Sequence, residues 1–246
     1  MIQSESIIKI ENLLKQFGNN VVLNDFNLDL HKGENLVVMG KSGSGKSVMI
    51  KCIVGLENYD KGSIKVNNYE IKSLNRKDLD ALRTEIGFLF QGSALYDSMS
   101  VRENLEFPLR RHQKKRDQHV NLEALVIEAL ENVGLVNAID LMPSELSGGM
   151  KRRIALARTL ILKPSIILYD EPTSGLDPIT SKEIIQLMKS IQKKYNTSSI
   201  IITHDLDCAK AIANRIILLI DGKNYAEGTF EELQSSNDVK IKAFFK

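Results

Sequence analysis

"NLVVMGKSGSGKSVMIKCIVGL", residues 35–56, decides the fold. It begins as an apolar strand-like run, crosses a glycine-rich loop and resumes as an apolar helical run closed by Gly55. Its centre, "GKSGSGKS" (Gly40 to Ser47), fits the pattern G-x-x-x-x-G-K-[ST]. Gly40, Lys41, Ser42, Gly43, Ser44 and Gly45 are expected to turn backbone N–H groups inward around phosphates. Lys46 is placed to reach the outer phosphates, and the Ser47 hydroxyl to bind Mg²⁺, with Val48 following on the helix. That helix points its positive dipole end at the same anion. A strand before and a helix after is the context the motif needs, so the stretch predicts a nucleotide site.

Outward from this loop the chain alternates apolar runs with turn signals. "VVLNDFNLDLHKGE" (21–34) and "DKGSIKVNN" (60–68) read as half-buried strands flanked by Lys-Gly turns. "IGFLF" (86–90), "SIILY" (165–169), "SIIIT" (199–203) and "RIILLI" (215–220) are nearly continuous and β-branched, as strands covered on both faces must be. Helical stretches separate most of them, which predicts a mainly parallel α/β sheet. Residues 92–160 break the pattern. Leu122, Leu125, Val126, Ala129, Leu130 and Val133 share one helical face that ends at Gly134, so this stretch reads as a helical insert. The cluster "RRHQKKR" (110–116) inside it suits a solvated helix end, or contact with anionic lipid headgroups or an acidic partner.

Four further residues are expected at or beside the phosphate-loop edge. Asp170 ends the strand of "SIILYDEP", where a carboxylate emerges at the carboxyl edge of the sheet and can hold Mg²⁺ through water. Glu171 follows it and faces elsewhere, free to polarise a water for attack on the γ-phosphate. His204, in "IIITHDL", and Gln91, in "FLFQGS", leave strands onto the same edge. His204 is expected to touch the γ-phosphate, and Gln91 to touch Mg²⁺ or the attacking water.

A second cradle is the puzzle. "PSELSGGMKRRIALARTL" (143–160) sets Ser147, Gly148 and Gly149 at the head of a basic helix. No strand precedes it and no Lys-Ser follows. Ser147 suits a plain helix N-cap. A phosphate contact there is most simply explained if it serves the nucleotide of another copy.

Composition narrows the class. With 43% apolar residues, 26% charged residues and a net charge of +2, the 246-residue chain fits neither a disordered segment nor a nucleic-acid-coating surface. Its two cysteines, Cys52 and Cys208, lack CxxC spacing and read as free buried thiols of a reducing compartment. The N-terminus lacks the basic and apolar regions of a signal peptide, and the apolar runs are too short to span a bilayer. A cytoplasmic location is expected, with any membrane part supplied by another chain.

In order, Gly40–Ser47, Gln91, "LSGG" (146–149), Asp170 and Glu171, "SGLD" (174–177) and His204 resemble the motif set of ABC-type ATPases over nearly the whole chain. The resemblance implies a P-loop NTPase (RecA-like) α/β domain with an N-terminal antiparallel β subdomain and an inserted α-helical subdomain. The expected boundaries are 1–91 and 161–224 for the core with its β subdomain, 92–160 for the helical subdomain and 225–246 for a C-terminal tail. It also implies ATP and Mg²⁺ as cofactors. Two copies would pack head to tail, each ATP held between Gly40–Ser47 of one and Ser147–Gly149 of the other. Asp177 would lie in the loop crossing that interface, and Phe17 would stack on adenine.

Finer features look like the ATPases of Mla-type lipid transporters, which work with a permease and MCE-domain proteins. Met150 stands where glutamine usually follows LSGG, and Val48 where threonine usually follows the loop serine. "LFQGSALYDSMSVRENLEFPLR" (89–110) carries the same likeness. The expected function is ATP hydrolysis by a homodimer at the cytoplasmic face of the inner membrane, driving a permease that docks around Ser93 to Leu109. A longer tail that grips the opposite subunit in some relatives is not expected here. An importer ATPase for amino acids or other small solutes is the alternative. DNA-repair and ribosome-acting relatives are disfavoured by the absence of a coiled-coil insertion and of a second ATPase domain. A P-loop kinase would leave "LSGG" and His204 unexplained.

Overall fold

The structure is a computed structural model that describes residues 5–112 and 121–245. It opens on a hairpin of β1 (Ser6–Phe17) and β2 (Asn20–His31). Then come β3 (Asn35–Met39), α1 (Lys46–Ile53), β4 (Lys61–Val66), β5 (Tyr69–Glu70), α2 (Arg76–Thr84) and β6 (Ile86–Leu89). Three helices follow without an intervening strand: α3 (Val101–His112), α4 (Leu122–Val133) and α5 (Gly148–Leu160). The chain then alternates through β7 (Ile166–Asp170), α6 (Pro178–Tyr195), β8 (Ser198–Ile202), α7 (Leu206–Ile212) and β9 (Arg215–Ile220). It finishes with β10 (Lys223–Gly228), α8 (Phe230–Ser235) and α9 (Val239–Lys242).

The strands form two sheets. One has the order β2-β1-β4-β5 and is antiparallel. The other has the order β10-β9-β3-β8-β7-β6 and is parallel except for β10 at its edge. Parallel strands need crossovers, and α5, α6 and α7 lie between them in the chain. Register settles what the parallel sheet presents. Val38 and Asp170 both pair with Ile202, so the carboxyl ends of β3, β7 and β8 come out side by side.

Each sheet face has its own core. Ile8, Phe26, Met49, Ile50, Leu168 and Ile200 pack between the two sheets. Met39, Tyr169, Ile184, Met188 and Ile201 pack on the other face of the parallel sheet. A third core joins Val101, Leu105, Val126, Leu130, Ile154 and Ala157 among α3, α4 and α5. Each fully buried Leu, Ile, Val or Phe contributes about 1.5–3 kcal/mol relative to exposure. On α4 the expected face holds: Val126, Ala129, Leu130 and Val133 are buried, and Gly134 caps the helix at φ +68°. Helix α5 serves two cores, since Ala155, Leu156 and Leu160 pack with the parallel sheet.

One expectation needs adjustment. Strand β10 pairs with β9 as far as Gly228, so the boundary expected at residue 224 falls inside the sheet. Of "RRHQKKR", Arg110, Arg111 and His112 end α3, while residues 113–116 lie outside the described residues. Cys52 and Cys208 are free and buried, as expected. Among the described residues no helix is long and apolar enough to cross a membrane.

Candidate nucleotide site

The Gly40–Ser47 loop leads from the end of β3 into α1. Gly45 caps α1 at φ +101°, and an added Cβ would meet Val22 Cγ1 at 2.8 Å and Val22 O at 2.9 Å. Only glycine suits both the left-handed backbone and the close approach. Helices α2, α4, α5, α6, α7, α8 and α9 each carry a side-chain cap, whereas α1 has none. Its first-turn amides face the loop, the arrangement that binds an anion at a helix N-terminus.

Lys46 is 7% exposed, and Nζ donates to the carbonyls of Gly40 at 2.7 Å and Lys41 at 2.9 Å. Burial holds its pKa below the ordinary lysine value, against the opposing pull of Glu171 and Asp170. Ser47 Oγ donates to Asp170 Oδ1 at 3.1 Å. Burial pushes the Asp170 carboxyl upward, the Ser47 bond holds it down and neighbouring Glu171 raises it. A cavity of about 720 Å³ flanks the outer rim of the loop, lined by Lys41 to Ser44, Val22, Gly222 and Lys240.

Glu171 leaves β7 with φ +50°, and its N–H donates to Ile202 O at 2.9 Å. Non-glycine residues in that region are uncommon and cluster at functional sites. Beyond this turn, His204 Nδ1 lies 2.8 Å from Glu171 Oε2. Gln91 follows β6 on the same edge, its Nε2 3.5 Å from Ser174 Oγ, the outer limit of a hydrogen bond. Gly40–Ser47, Gln91, Asp170, Glu171 and His204 thus share one sheet edge.

Phe17 ends β1 beside the turn at Gly18 and is 47% exposed, with Lys15 Nζ 4.3 Å from its ring centre. It is not a core phenylalanine, and the Lys15 ammonium lies over one face of its ring.

The second cradle is built on other elements. Ser147 Oγ accepts the Met150 N–H at 3.2 Å and caps α5. A Cβ on Gly149 would lie 2.6 Å from Thr180 Cγ2, and one on Gly148 would lie 3.7 Å from Leu176. The cradle therefore packs on the loop of Asp177, which itself caps α6 through the Ile179 and Thr180 N–H groups at 3.0 Å. Ser147, Gly148, Gly149 and Asp177 form one group where α5 and α6 begin.

Sequence reasoning missed the residues that join these groups. Arg152, 4% exposed, donates to Phe90 O at 2.9 Å and Ser174 O at 3.3 Å. Arg158 donates to Ala94 O at 2.8 Å and Ser93 O at 3.0 Å, residues that themselves hold φ +49° and +62°. Burial lowers the pKa of both. The only sequence signal was basic residues in a helix that is otherwise apolar.

The comparisons agree on the family. The ABC transporter family profile matches residues 23–174. The chain is similar to the methionine import ATP-binding protein MetN of Campylobacter jejuni, 41% identical over 97% of this chain and 75% of that protein. It is also similar to the intermembrane phospholipid transport system ATP-binding protein MlaF of Haemophilus influenzae, 37% identical over 99% of this chain and 91% of that protein. Among solved structures, the dimeric ATP-binding cassette MJ0796 bound to ADP and Pi matches with a TM-score of 0.82 and 32% identity, covering 91% of this chain and 98% of that one.

Proposed function

From the premise that this chain belongs to the ABC transporter family and is an ATP-binding subunit with ATPase activity, we propose that it works as a homodimer powering a permease that moves phospholipid or a related lipid. One observation supports the dimer: Gly148 and Gly149, at the start of α5, pack against Leu176 and Thr180 of their own chain, whereas Gly40–Ser47 joins β3 to α1. Each chain then offers two half-sites. Gly40 to Val48 bind the phosphates of one ATP, with Phe17 on its adenine. Ser147, Gly148, Gly149 and Asp177 of the second copy close over it. The likeness to a cassette that is dimeric and bound to ADP and Pi supports a nucleotide-bound dimer.

Glu171 is the group that polarises the attacking water, and His204 and Gln91 order the γ-phosphate side. The donors also fit Mg²⁺. The Ser47 hydroxyl 3.1 Å from the buried Asp170 carboxylate is a pair of hard oxygen ligands, with the Gln91 amide oxygen on the same edge. When bound, Mg²⁺ would neutralise charge on the outer phosphates. Lys46 supplies the protein's own positive charge there.

Permease docking is supported by a groove beside residues 93–109. Phe88 and Phe90 stack at 4.0 Å, and Tyr96 and Phe107 meet at 5.0 Å. With Pro108 they line a cavity of about 410 Å³. Arg152 and Arg158 tie this groove to the helix headed by Ser147. Through the permease the subunit sits peripherally on the cytoplasmic face of the inner membrane.

The lipid reading rests on Met150, Val48 and the 89–110 stretch, together with the likeness to MlaF. It brings an MCE-domain protein as a further partner and no nucleic acid. The likeness to MetN favours the second reading, an importer of methionine or another small solute. Purification of the tagged subunit with its native membrane partners separates them. The lipid reading predicts a co-purified permease with an MCE-domain protein, and ATPase activity that responds to phospholipid and not to methionine.

A further inference from the structure

His204 presents a problem of orientation. Its side chain is 71% exposed, so no packing holds the imidazole, yet Nδ1 lies 2.8 Å from Glu171 Oε2. Its direction must come from its chain neighbours. Thr203 before it is fully buried. Asp205 after it is tied at four points. Its N–H donates to Thr203 Oγ1 at 3.0 Å. Its Oδ1 accepts the N–H groups of Asp207 at 2.9 Å and Cys208 at 3.1 Å, capping α7. Its Oδ2 accepts the Thr173 hydroxyl at 3.0 Å.

The last bond is more than a helix cap needs, because one carboxylate oxygen suffices for that. The second oxygen reaches across to the segment that leaves β7. Thr173 is buried, two residues beyond Glu171, which holds φ +50°. A ring of contacts closes: Glu171 to Thr173 along the chain, Thr173 to Asp205 by hydrogen bond, Asp205 to His204 along the chain, and His204 back to Glu171. Strained backbone persists where its surroundings over-determine it, and this ring does so. Next to it lies a cavity of about 370 Å³ lined by Thr173, Gly175, Ile185, His204 and Asp205, room into which an untied loop would relax.

We propose that Asp205 is a positioning residue for ATP hydrolysis. Latched by Thr173, it sets His204 against Glu171 and fixes the spacing of the loops after β7 and β8. The proposal rests on the reading of Glu171 and His204 as residues of the hydrolytic site.

The test is steady-state Mg·ATP hydrolysis by the purified full chain. Thr173→Val keeps the shape and removes the hydroxyl. Asp205→Ser keeps a helix cap and shortens the reach to Thr173. Each is expected to lower kcat by about 10- to 100-fold, the scale of an ångström-sized misplacement. KM for ATP should stay within about twofold, and Thr173→Ser, which restores the hydroxyl, should recover kcat. In a His204→Ala background, Thr173→Val should cost nothing further. Wild-type kcat in both Thr173→Val and Asp205→Ser, or an undiminished loss on top of His204→Ala, overturns the proposal. Wild-type kcat in His204→Ala itself overturns the underlying reading of the site.

Discussion

Gly149, at the start of α5, approaches Thr180, at the start of α6, so closely that a Cβ would stand 2.6 Å from Thr180 Cγ2. The second cradle and the loop of Asp177 are therefore one packed unit. Gly149→Ala must displace α5 or the Thr180 side chain that Asp177 holds. Overpacking of this kind costs about 1–3 kcal/mol, more than the ~0.5–1 kcal/mol that alanine gains over glycine in a helix. Thr180→Ser deletes the offending methyl and keeps the hydroxyl bonded to Asp177. Thermal unfolding should show Gly149→Ala destabilised and the double variant restored toward wild type. A Gly149→Ala protein as stable as wild type would refute this contact.

Arg152 holds the Phe90 and Ser174 carbonyls from a position 4% exposed to solvent. Arg152→Ala strips both carbonyls of a charged donor, a loss of about 2–4 kcal/mol. The midpoint of thermal unfolding should fall by several degrees, at about 2–4 °C per kcal/mol for a chain of this size. Arg152→Lys keeps the charge and lacks the planar fork, so it should recover only part of the loss.

Glu171→Gln is nearly isosteric and removes the carboxylate proposed as the general base. Turnover should fall by about 10²–10⁴-fold, the range for a positioned general base. ATP should still bind, because Gly40–Ser47 is untouched, and the unhydrolysed nucleotide should hold two chains together. Size-exclusion chromatography with Mg·ATP should then show a dimer that the wild type forms only transiently.

Much of this architecture is legible in the sequence, for a physical reason. Strands buried on both faces, such as "SIILY" and "RIILLI", need continuous apolar side chains, and β7 and β9 follow within a residue or two. Strand β1 is harder to read because register shifts between Ile10 and Leu13, with Asn12 at φ +50°, break its alternation. Strand β10 is an edge strand, "KNYAEG", with no fully buried residue and so no apolar signal. At the site, residues on strand ends were legible because the parallel register carries Gly40, Gln91, Asp170 and His204 to one edge. Arg152, Thr173 and Asp205 were not. Their roles depend on which carbonyl or hydroxyl tertiary packing brings within 3.3 Å. A basic run such as Lys151 to Arg153 carries no mark of which residue is buried.

Burial pushes the Cys52 thiol up to about 11 and the Cys208 thiol up to about 12. A raised thiol pKa leaves the unreactive protonated form dominant at neutral pH. The native protein should resist alkylation at pH 8 and take up two equivalents once denatured, read by mass spectrometry. Rapid labelling of either thiol in the native state would contradict their burial.

The central claim is that one chain supplies Gly40–Ser47 and a second copy supplies Ser147–Gly149 to the same ATP. Mixing two inactive variants tests it most directly. Lys46→Ala disables the first half-site and Ser147→Arg blocks the second, so each protein alone should hydrolyse ATP at background rate. A mixed dimer contains one site built from the intact halves of both. ATPase activity regained on mixing, with a dependence on the ratio of the two variants that peaks near equal amounts, is the predicted result. A mixture that forms mixed dimers yet stays as inactive as either variant alone would contradict the shared site.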